Sequence, residues 1–405
     1  MTAEPLIPPA LIRSFAGLVL LPATGVGGIA IVLLFVAETW PGRALGLGFA
    51  LLSTFTVLLP LALAPAVAEP LAFTEEEAHA LAREAAVRRR RHLRQLLPLG
   101  ALALACLGWA WVVAPPAEER PLADTPGLQS VWLGPARPSR LGLSWVTPER
   151  DQLVLATHLM WAADPWLERE EAAAFRDDVQ RIYDEMASEP SYADPGSALG
   201  FAYLELLGGP DVTGHVYVDL APAPGPQPAL VFIHGFGGSA ASYLWVLRRA
   251  AHARGWAIVA PGYGAGLWYQ PEGAATVERT LDWMQASGRF DMDRLVLAGL
   301  SNGGFGVTAA ATLHPWRGLA WLSGVLDPNE MTRLSAIRAP MLVLHGGTED
   351  RIPLPFVSSA VDTLRAGGAD VTFDVVPDAD HFLLFSHRDR VDAALDAWLT
   401  RAETP

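Results

Sequence analysis

Three long runs without a charged residue, at 15–36, 44–68 and 96–114, limit what this chain can become. At about 1.5 Å per helical residue, each is long enough to cross a hydrocarbon core of about 30 Å. None shows the polar face of a helix packed on a soluble core. The spacing therefore predicts three transmembrane helices in a membrane region over 1–114. Pro22, Pro60 and Pro65 fall inside two of the runs, where lipid-embedded helices tolerate proline as a kink. A cleaved signal peptide is the competing reading of the first run. Its apolar core is too long for that, Arg13 is the one basic residue ahead of it, and no small-x-small site follows Val36.

Arginine sets the expected orientation. Between the second and third runs lie Arg83, Arg88, Arg89, Arg90, Arg91 and Arg94, against Arg43 alone between the first two. Positive residues near span ends stay in the cytoplasm. A multi-pass protein of the cytoplasmic (inner) membrane is expected, with the chain beyond 114 on the outer side. The "RRRRHLR" text can touch anionic lipid while it sets topology, so the lipid bilayer is an expected partner. The net charge of −14 argues against a nucleic-acid partner for the large domain. Cys106 is the single cysteine, so no intramolecular disulfide can form. The absence of lysine removes Schiff-base chemistry and Ser–Lys dyads.

After the membrane region, "PPAEERPLADTPG" reads as the start of a proline-rich tether over 115–140. Residues 141–405 are expected to form one domain with its core at about 210–405. A helix is expected to begin at Asp164-Pro165, with Phe175, Val179, Ile182, Tyr183 and Met186 on one face. From 210 onwards short apolar runs alternate with helical stretches: "GHVYVDL", "ALVFIHG", "WAIVAPGY", "RLVLAGLS", "GLAWLSGV", "MLVLHGG" and "VTFDVVPDADH". This alternation predicts an α/β domain with a doubly wound, mostly parallel sheet.

Ligands of such sheets gather beyond the carboxyl ends of the strands. After "LVLA" comes Gly299-Leu300-Ser301-Asn302-Gly303, the G-x-S-x-G pattern of a nucleophile held on a sharp strand-to-helix turn. Such a serine needs a base, and His381 in "VVPDADHF" follows the last strand. An acid should orient that imidazole. Asp350, after "MLVLHGG", is the first choice, with Glu349 and Asp327 as alternatives. The "FIHGFGGSAASY" loop offers the backbone N–H of Phe236, with that of Asn302, to an oxyanion. His234, Gly235 and Gly237 are expected to support this loop. His215, His252, His314, His345 and His387 are read as structural or solvated. Trp268 and Tyr269 are candidate walls of a substrate pocket.

These texts together, "HGFGG", "GLSNGG", "HGGTEDRIP" and "DADHF", resemble the α/β-hydrolase superfamily, and within it the dienelactone-hydrolase and prolyl-oligopeptidase-like groups. The resemblance covers about half the chain, from around 210 to the end. It implies acyl transfer to water through an acyl-serine in the order Ser301, Asp350, His381, without metal or organic cofactor. The short "LDPNEMTRLSAIRA" segment leaves no room for a sizeable lid before the acid, so any cover must come from 140–210 or from the bilayer. The expected activity is hydrolysis of a small-molecule or lipid-like ester. A serine peptidase and an idle hydrolase-fold scaffold or binding module are the alternatives.

Overall fold

Residues 9–63, 75–113, 122–133, 147–164, 167–193, 199 and 214–404 are described by the computed structural model, and the chain divides into two units, Met1–Ala114 and Pro115–Pro405. The first is built from α1 (Pro9–Val36), α2 (Trp40–Leu63) and α3 (Glu75–Val113). Small residues let these helices approach. A Cβ on Gly46 would meet the Leu34 backbone of α1, and one on Gly48 would meet Leu107 of α3. Val26, Ile29, Phe35, Leu102, Leu104 and Val112 remain exposed on the outside of the unit.

Of the three expected spans, two helical stretches are long and apolar enough among the described residues, Trp40–Leu59 and Arg90–Val113. The first run contributes only the shorter apolar stretch Ala23–Val36 by the same criterion. Residues 64–68 of the expected second span, Pro65 included, lie outside the described residues, as do residue 114 of the expected third span and 115–121 and 134–140 of the expected tether.

The second unit follows the order β1 (Gly127–Trp132), α4 (Glu149–Ala163), α5 (Arg169–Met186), β2 (His215–Leu220), β3 (Gln227–Ile233), α6 (Ala241–His252), β4 (Ala257–Pro261), α7 (Pro271–Ser287), β5 (Phe290–Leu300), α8 (Gly303–Ala310), β6 (Gly318–Leu322), α9 (Met331–Leu334), β7 (Met341–Gly346), α10 (Leu354–Ala366), β8 (Val371–Val376), α11 (Leu383–Ser386) and α12 (Arg388–Glu403). The strands form one sheet in the order β1-β2-β4-β3-β5-β6-β7-β8. The β1–β2 and β2–β4 pairs are antiparallel and all the others parallel.

Strands β2 to β7 read as near-continuous apolar runs because both faces of the sheet are covered. In β3, Leu230 and Phe232 face a core shared with α5, α6 and α12. The alternate residues Ala229, Val231 and Ile233 face a second core with α7, α8 and α10. The chain steps from β3 outward to β4, then returns across β3 to β5, pairing Ile233 with Gly299. That reversal opens a crevice at the carboxyl ends of β3 and β5.

Two expectations ahead of the core need correction. The segment read as tether contains β1, whose Gln129 amide holds Ala123 and Thr125. The helix expected to begin at Asp164-Pro165 begins at Arg169. There the backbone N–H of Glu168 donates to Glu171 Oε2 at 3.1 Å. Asp164 instead ends α4, a helix that the sequence reading did not assign. The expected face of α5 is in place, with Phe175, Val179, Ile182, Tyr183 and Met186 all buried.

Helix α4 is anchored by a buried carboxylate. Glu149 accepts from the Tyr183 hydroxyl at 2.6 Å, the Tyr217 hydroxyl at 2.9 Å and the Ala241 amide at 2.9 Å. It joins α4 to α5, to β2 and to the open N-terminus of α6, where a negative charge is favoured. Glu149→Ala leaves buried donors unsatisfied, at about 1–3 kcal/mol each. The unfolding free energy of the full chain should fall by at least about 3 kcal/mol, read as a lower denaturation midpoint, and Glu149→Gln should recover part of the loss. An unchanged midpoint would mean that the carboxylate contributes nothing net.

Candidate active site

Strand β5 stops because the next residue cannot continue it. Ser301 has φ +52°, in the left-handed region, which costs a β-carbon-bearing residue about 1–3 kcal/mol unless its surroundings enforce it. They do so here. The Ser301 carbonyl accepts from the amides of Gly304 at 2.9 Å and Val325 at 3.0 Å. The turn is tight enough that a Cβ on Gly299 would collide with the Gly303 carbonyl, and one on Gly303 with the Ile233 carbonyl. Glycine at both positions is thus a steric requirement of the turn.

The hydroxyl so presented meets an imidazole. His381 Nε2 lies 3.0 Å from Ser301 Oγ, and His381 Nδ1 lies 2.5 Å from a carboxylate oxygen of Glu349. Glu349, then, and not Asp350, faces the histidine. Asp350 is exposed, as its neighbour on the outer side of the turn after β7. Asp327 caps the short turn after β6, accepting from the Asn329 amide. The Glu349 side chain is fully buried. Its Oε1 accepts from the amides of Arg351 at 2.8 Å and Ile352 at 3.2 Å, which leaves Oε2 for the imidazole. Burial pushes the Glu349 pKa up, but the hydrogen bond from His381, its charge and the two amides outweigh that. The carboxyl is held below its usual range.

The acid and base loops are bound to one another through backbone. Thr348 donates to the Ala379 carbonyl from its amide at 3.0 Å and from its hydroxyl at 2.9 Å. Gly346 and Gly347 lie so close to Ala379 and Pro377 that a Cβ on either would clash. His345 Nε2 bonds the Ile352 carbonyl at 2.8 Å, closing the far end of the acid loop.

The loop after β3 approaches from the other side. A Cβ on Gly235 would sit 3.1 Å from that of Ser301. His234 Nδ1 donates to the Gly235 carbonyl at 2.7 Å, and its Nε2 accepts from the Tyr263 amide at 3.1 Å. These partners fix a neutral tautomer. Burial lowers its pKa to about 4 against the raising effect of the Gly235 bond. Gly237, with φ +109°, donates its amide to the Ala265 carbonyl at 2.9 Å. Among the described residues, no protein acceptor takes the amide of Phe236 or of Asn302. Asn302 follows Ser301 directly, and Phe236 follows Gly235, where a Cβ would sit 3.1 Å from that of Ser301, so both amides are candidate donors to a ligand oxygen.

The two pocket candidates separate. Trp268 is completely buried, its ring edge-on to His234 at 5.1 Å beneath the loop. It supports the loop and walls no pocket. Tyr269 is 60% exposed and meets the Phe305 ring at 6.0 Å, edge to face. Phe236 is 56% exposed. Among the described residues no group of three or more His, Cys, Asp or Glu side chains could hold a metal ion.

No protein-family model matches the sequence. A stretch of 133 residues, 30% of this chain, is 26% identical to the "Putative carboxymethylenebutenolidase" of Methylorubrum extorquens. The match spans 46% of that relative, so the chain covers less than half its length. Est1E from Butyrivibrio proteoclasticus is similar at 16% identity, over 47% of this chain and 95% of that one, with a TM-score of 0.40. A putative dienelactone hydrolase from Klebsiella pneumoniae is similar at 20% identity, over 47% and 97%, with a TM-score of 0.39.

Two neutral, buried imidazoles make the large unit acid-sensitive. His215, bonded to Ser130 Oγ at 2.7 Å, is also lowered by burial to about 4. Below pH 6.5 the unfolded chain takes up protons at both residues, whereas the folded chain does so only near pH 4. Their stabilisation is complete above 6.5 and is lost as the pH falls from 6.5 to 4, by about 3 kcal/mol for each histidine. Denaturant unfolding followed by tryptophan fluorescence should show a clearly lower midpoint at pH 5 than at pH 7.5. Equal midpoints would contradict the assignment of both as neutral.

Proposed function

We propose that this protein is a membrane-attached serine hydrolase of the α/β-hydrolase type that cleaves carboxylic esters, with Ser301, His381 and Glu349 as its triad. The observation that carries the reading is the pairing of Ser301 Oγ with His381 Nε2 at 3.0 Å, on a strained turn, with a buried carboxylate behind the imidazole. A serine hydroxyl is a weak nucleophile until a base takes its proton.

In this reading Ser301 Oγ attacks the ester carbonyl carbon while its proton passes to His381 Nε2. The carbonyl oxygen becomes an oxyanion and accepts from the amides of Phe236 and Asn302. The C–O bond to the alcohol then breaks, and the leaving alkoxide takes the proton from Nε2. Water, deprotonated at Nε2, attacks the acyl-serine, and the collapse of the second intermediate returns the proton to Ser301 Oγ and releases the acid. Glu349 stays ionised throughout and stabilises the imidazolium. The exposed rings of Phe236 and Tyr269 favour a substrate with an apolar group. The name of the Methylorubrum relative, a putative carboxymethylenebutenolidase, is consistent with a small-molecule ester.

A fluorophosphonate probe should modify Ser301, and Ser301→Ala should abolish both labelling and hydrolysis of 4-nitrophenyl butyrate. Glu349→Gln should lower kcat by about a thousandfold or more, whereas the exposed Asp350→Asn should stay within about twofold of the parent. Modification at another residue, or the reverse ranking of the two acids, sinks the assignment.

The two long apolar helices and the exposed apolar surface of the first unit support attachment to a bilayer. The arginine-rich start of the second stretch supports an orientation with that end in the cytoplasm and the hydrolase unit outside. Alkaline phosphatase fused after residue 130 should be active, and a cytoplasm-dependent reporter at the same point silent. The opposite pattern refutes the orientation.

A further inference from the structure

We infer that Arg351 is a positioning residue, through which the α4–α5 helix pair holds the acid and the base of the proposed triad in register. The inference rests on the hydrolase reading above and extends it to a residue outside the triad.

Arg351 stands two positions after Glu349 and contacts its surroundings in three ways. Its amide donates to Glu349 Oε1 at 2.8 Å. Its guanidinium donates to Asp164 Oδ2 from both Nη2 at 2.7 Å and Nε at 3.2 Å, at the end of α4. The same guanidinium lies 5.1 Å from the ring centroid of Phe382, the residue after His381. Phe382 in turn stacks on Phe175 of α5 at 4.0 Å and 17°, and its ring meets the His381 imidazole edge-on at 5.8 Å. A closed circuit runs from α4 through the acid loop to the base loop and back to α5.

The circuit has the properties that positioning requires. Both ends of the ion pair are mostly shielded, at 17% and 23% side-chain exposure, so solvent screens it less than a surface pair. The planar guanidinium can bond a carboxylate and face a ring together, which an ammonium cannot reproduce. The helix pair also reaches the loop after β3, because Glu149 of α4 holds the first amide of α6. One pair of helices outside the alternating core therefore touches the oxyanion, acid and base loops. The 2.5 Å bond between His381 and Glu349 joins two of those loops, so its length depends on how firmly they are held.

The test compares Arg351→Ala, Arg351→Lys and Asp164→Asn with the parent and Ser301→Ala in the full chain. 4-Nitrophenyl butyrate hydrolysis and the fluorophosphonate labelling rate are measured per folded molecule. A displacement of about 1 Å in a catalytic group costs up to about a hundredfold in rate. Arg351→Ala should therefore lose about tenfold to a hundredfold in kcat and labelling rate, with KM within about twofold. Arg351→Lys should recover part of the loss. Asp164→Asn, nearly isosteric with the native residue, reads the same coupling where Arg351→Ala yields too little folded protein. A lower melting temperature with unchanged kcat and labelling in these variants would make the contact merely structural and overturn the inference. Parent-like rates beside an inactive Ser301→Ala overturn it too, and leave the hydrolase reading standing. Activity in Ser301→Ala overturns both.

Discussion

Backbone running against backbone around Ser301 is the constraint on which the rest of the large unit depends. Three loops meet there with no room for side chains between them. A Cβ on Gly303 would enter the Ile233 carbonyl at the end of β3, one on Gly304 would enter Val325 after β6, and one on Gly299 would enter the turn itself. The left-handed Ser301 persists because its carbonyl is bonded from both sides, by Gly304 and Val325. Strain at one residue is thus offset by hydrogen bonds that only this close approach allows. The same contacts fix where the hydroxyl points, so the geometry of the proposed nucleophile follows from the packing of the sheet ends.

The acid and base loops use the same device a few strands away. Gly346 and Gly347 exist to let the loop after β8 lie on the loop after β7, and Thr348 then bonds Ala379 twice. Two close backbone junctions, one around the serine and one between the acid and the histidine, leave the side chains only a short gap to bridge. What backbone alone does not fix is the orientation of the side chains over that gap. There the α4–α5 pair enters, through Glu149, Asp164 and Phe175, as a set of contacts from outside the sheet.

What could be read in the sequence follows from how far each property depends on neighbours in the chain. Strands β2 to β7 are legible because burial on both faces leaves an apolar run that nothing else explains. Ser301, His381 and the loop at His234 were legible because each follows such a run at its carboxyl end. β1 was not, since "GLQSVW" is a short edge strand with polar positions inside a proline-rich stretch. The start of α5 was misplaced at Asp164-Pro165, a pair with the composition of a helix start, because Glu168 and Glu171 supply a better one four residues later. Trp268 and Tyr269 are adjacent and of similar chemistry, yet one is sealed under the loop and the other exposed. The packing of the Trp268 ring against His234 and Tyr263 decides which is which. Glu349 and Asp350 pose the same problem, since neighbouring residues in a turn point to opposite sides. The deciding contacts are with His381, 32 positions away, and with two amides that no spacing rule reveals.

The histidines show most plainly why residue type cannot stand for function. His234 and His381 both follow strands and both border the serine. His234 is buried between a carbonyl acceptor and an amide donor, with no carboxylate bonded to it. Burial drives its pKa to about 4, and with both ring nitrogens bonded to backbone groups the ring holds the loop. His381 has one nitrogen on a carboxylate and the other on a hydroxyl. In the proposed reaction that carboxylate, already bonded by two amides, stabilises the imidazolium that proton transfer would create. A protonated His234 would have to break its bond from the Tyr263 amide, since both ring nitrogens would then be donors. The loop bearing the Phe236 amide would lose its anchor. The difference between the two rings is thus enforced by their partners: two backbone groups hold His234 in place under the loop, whereas a carboxylate and a hydroxyl face His381.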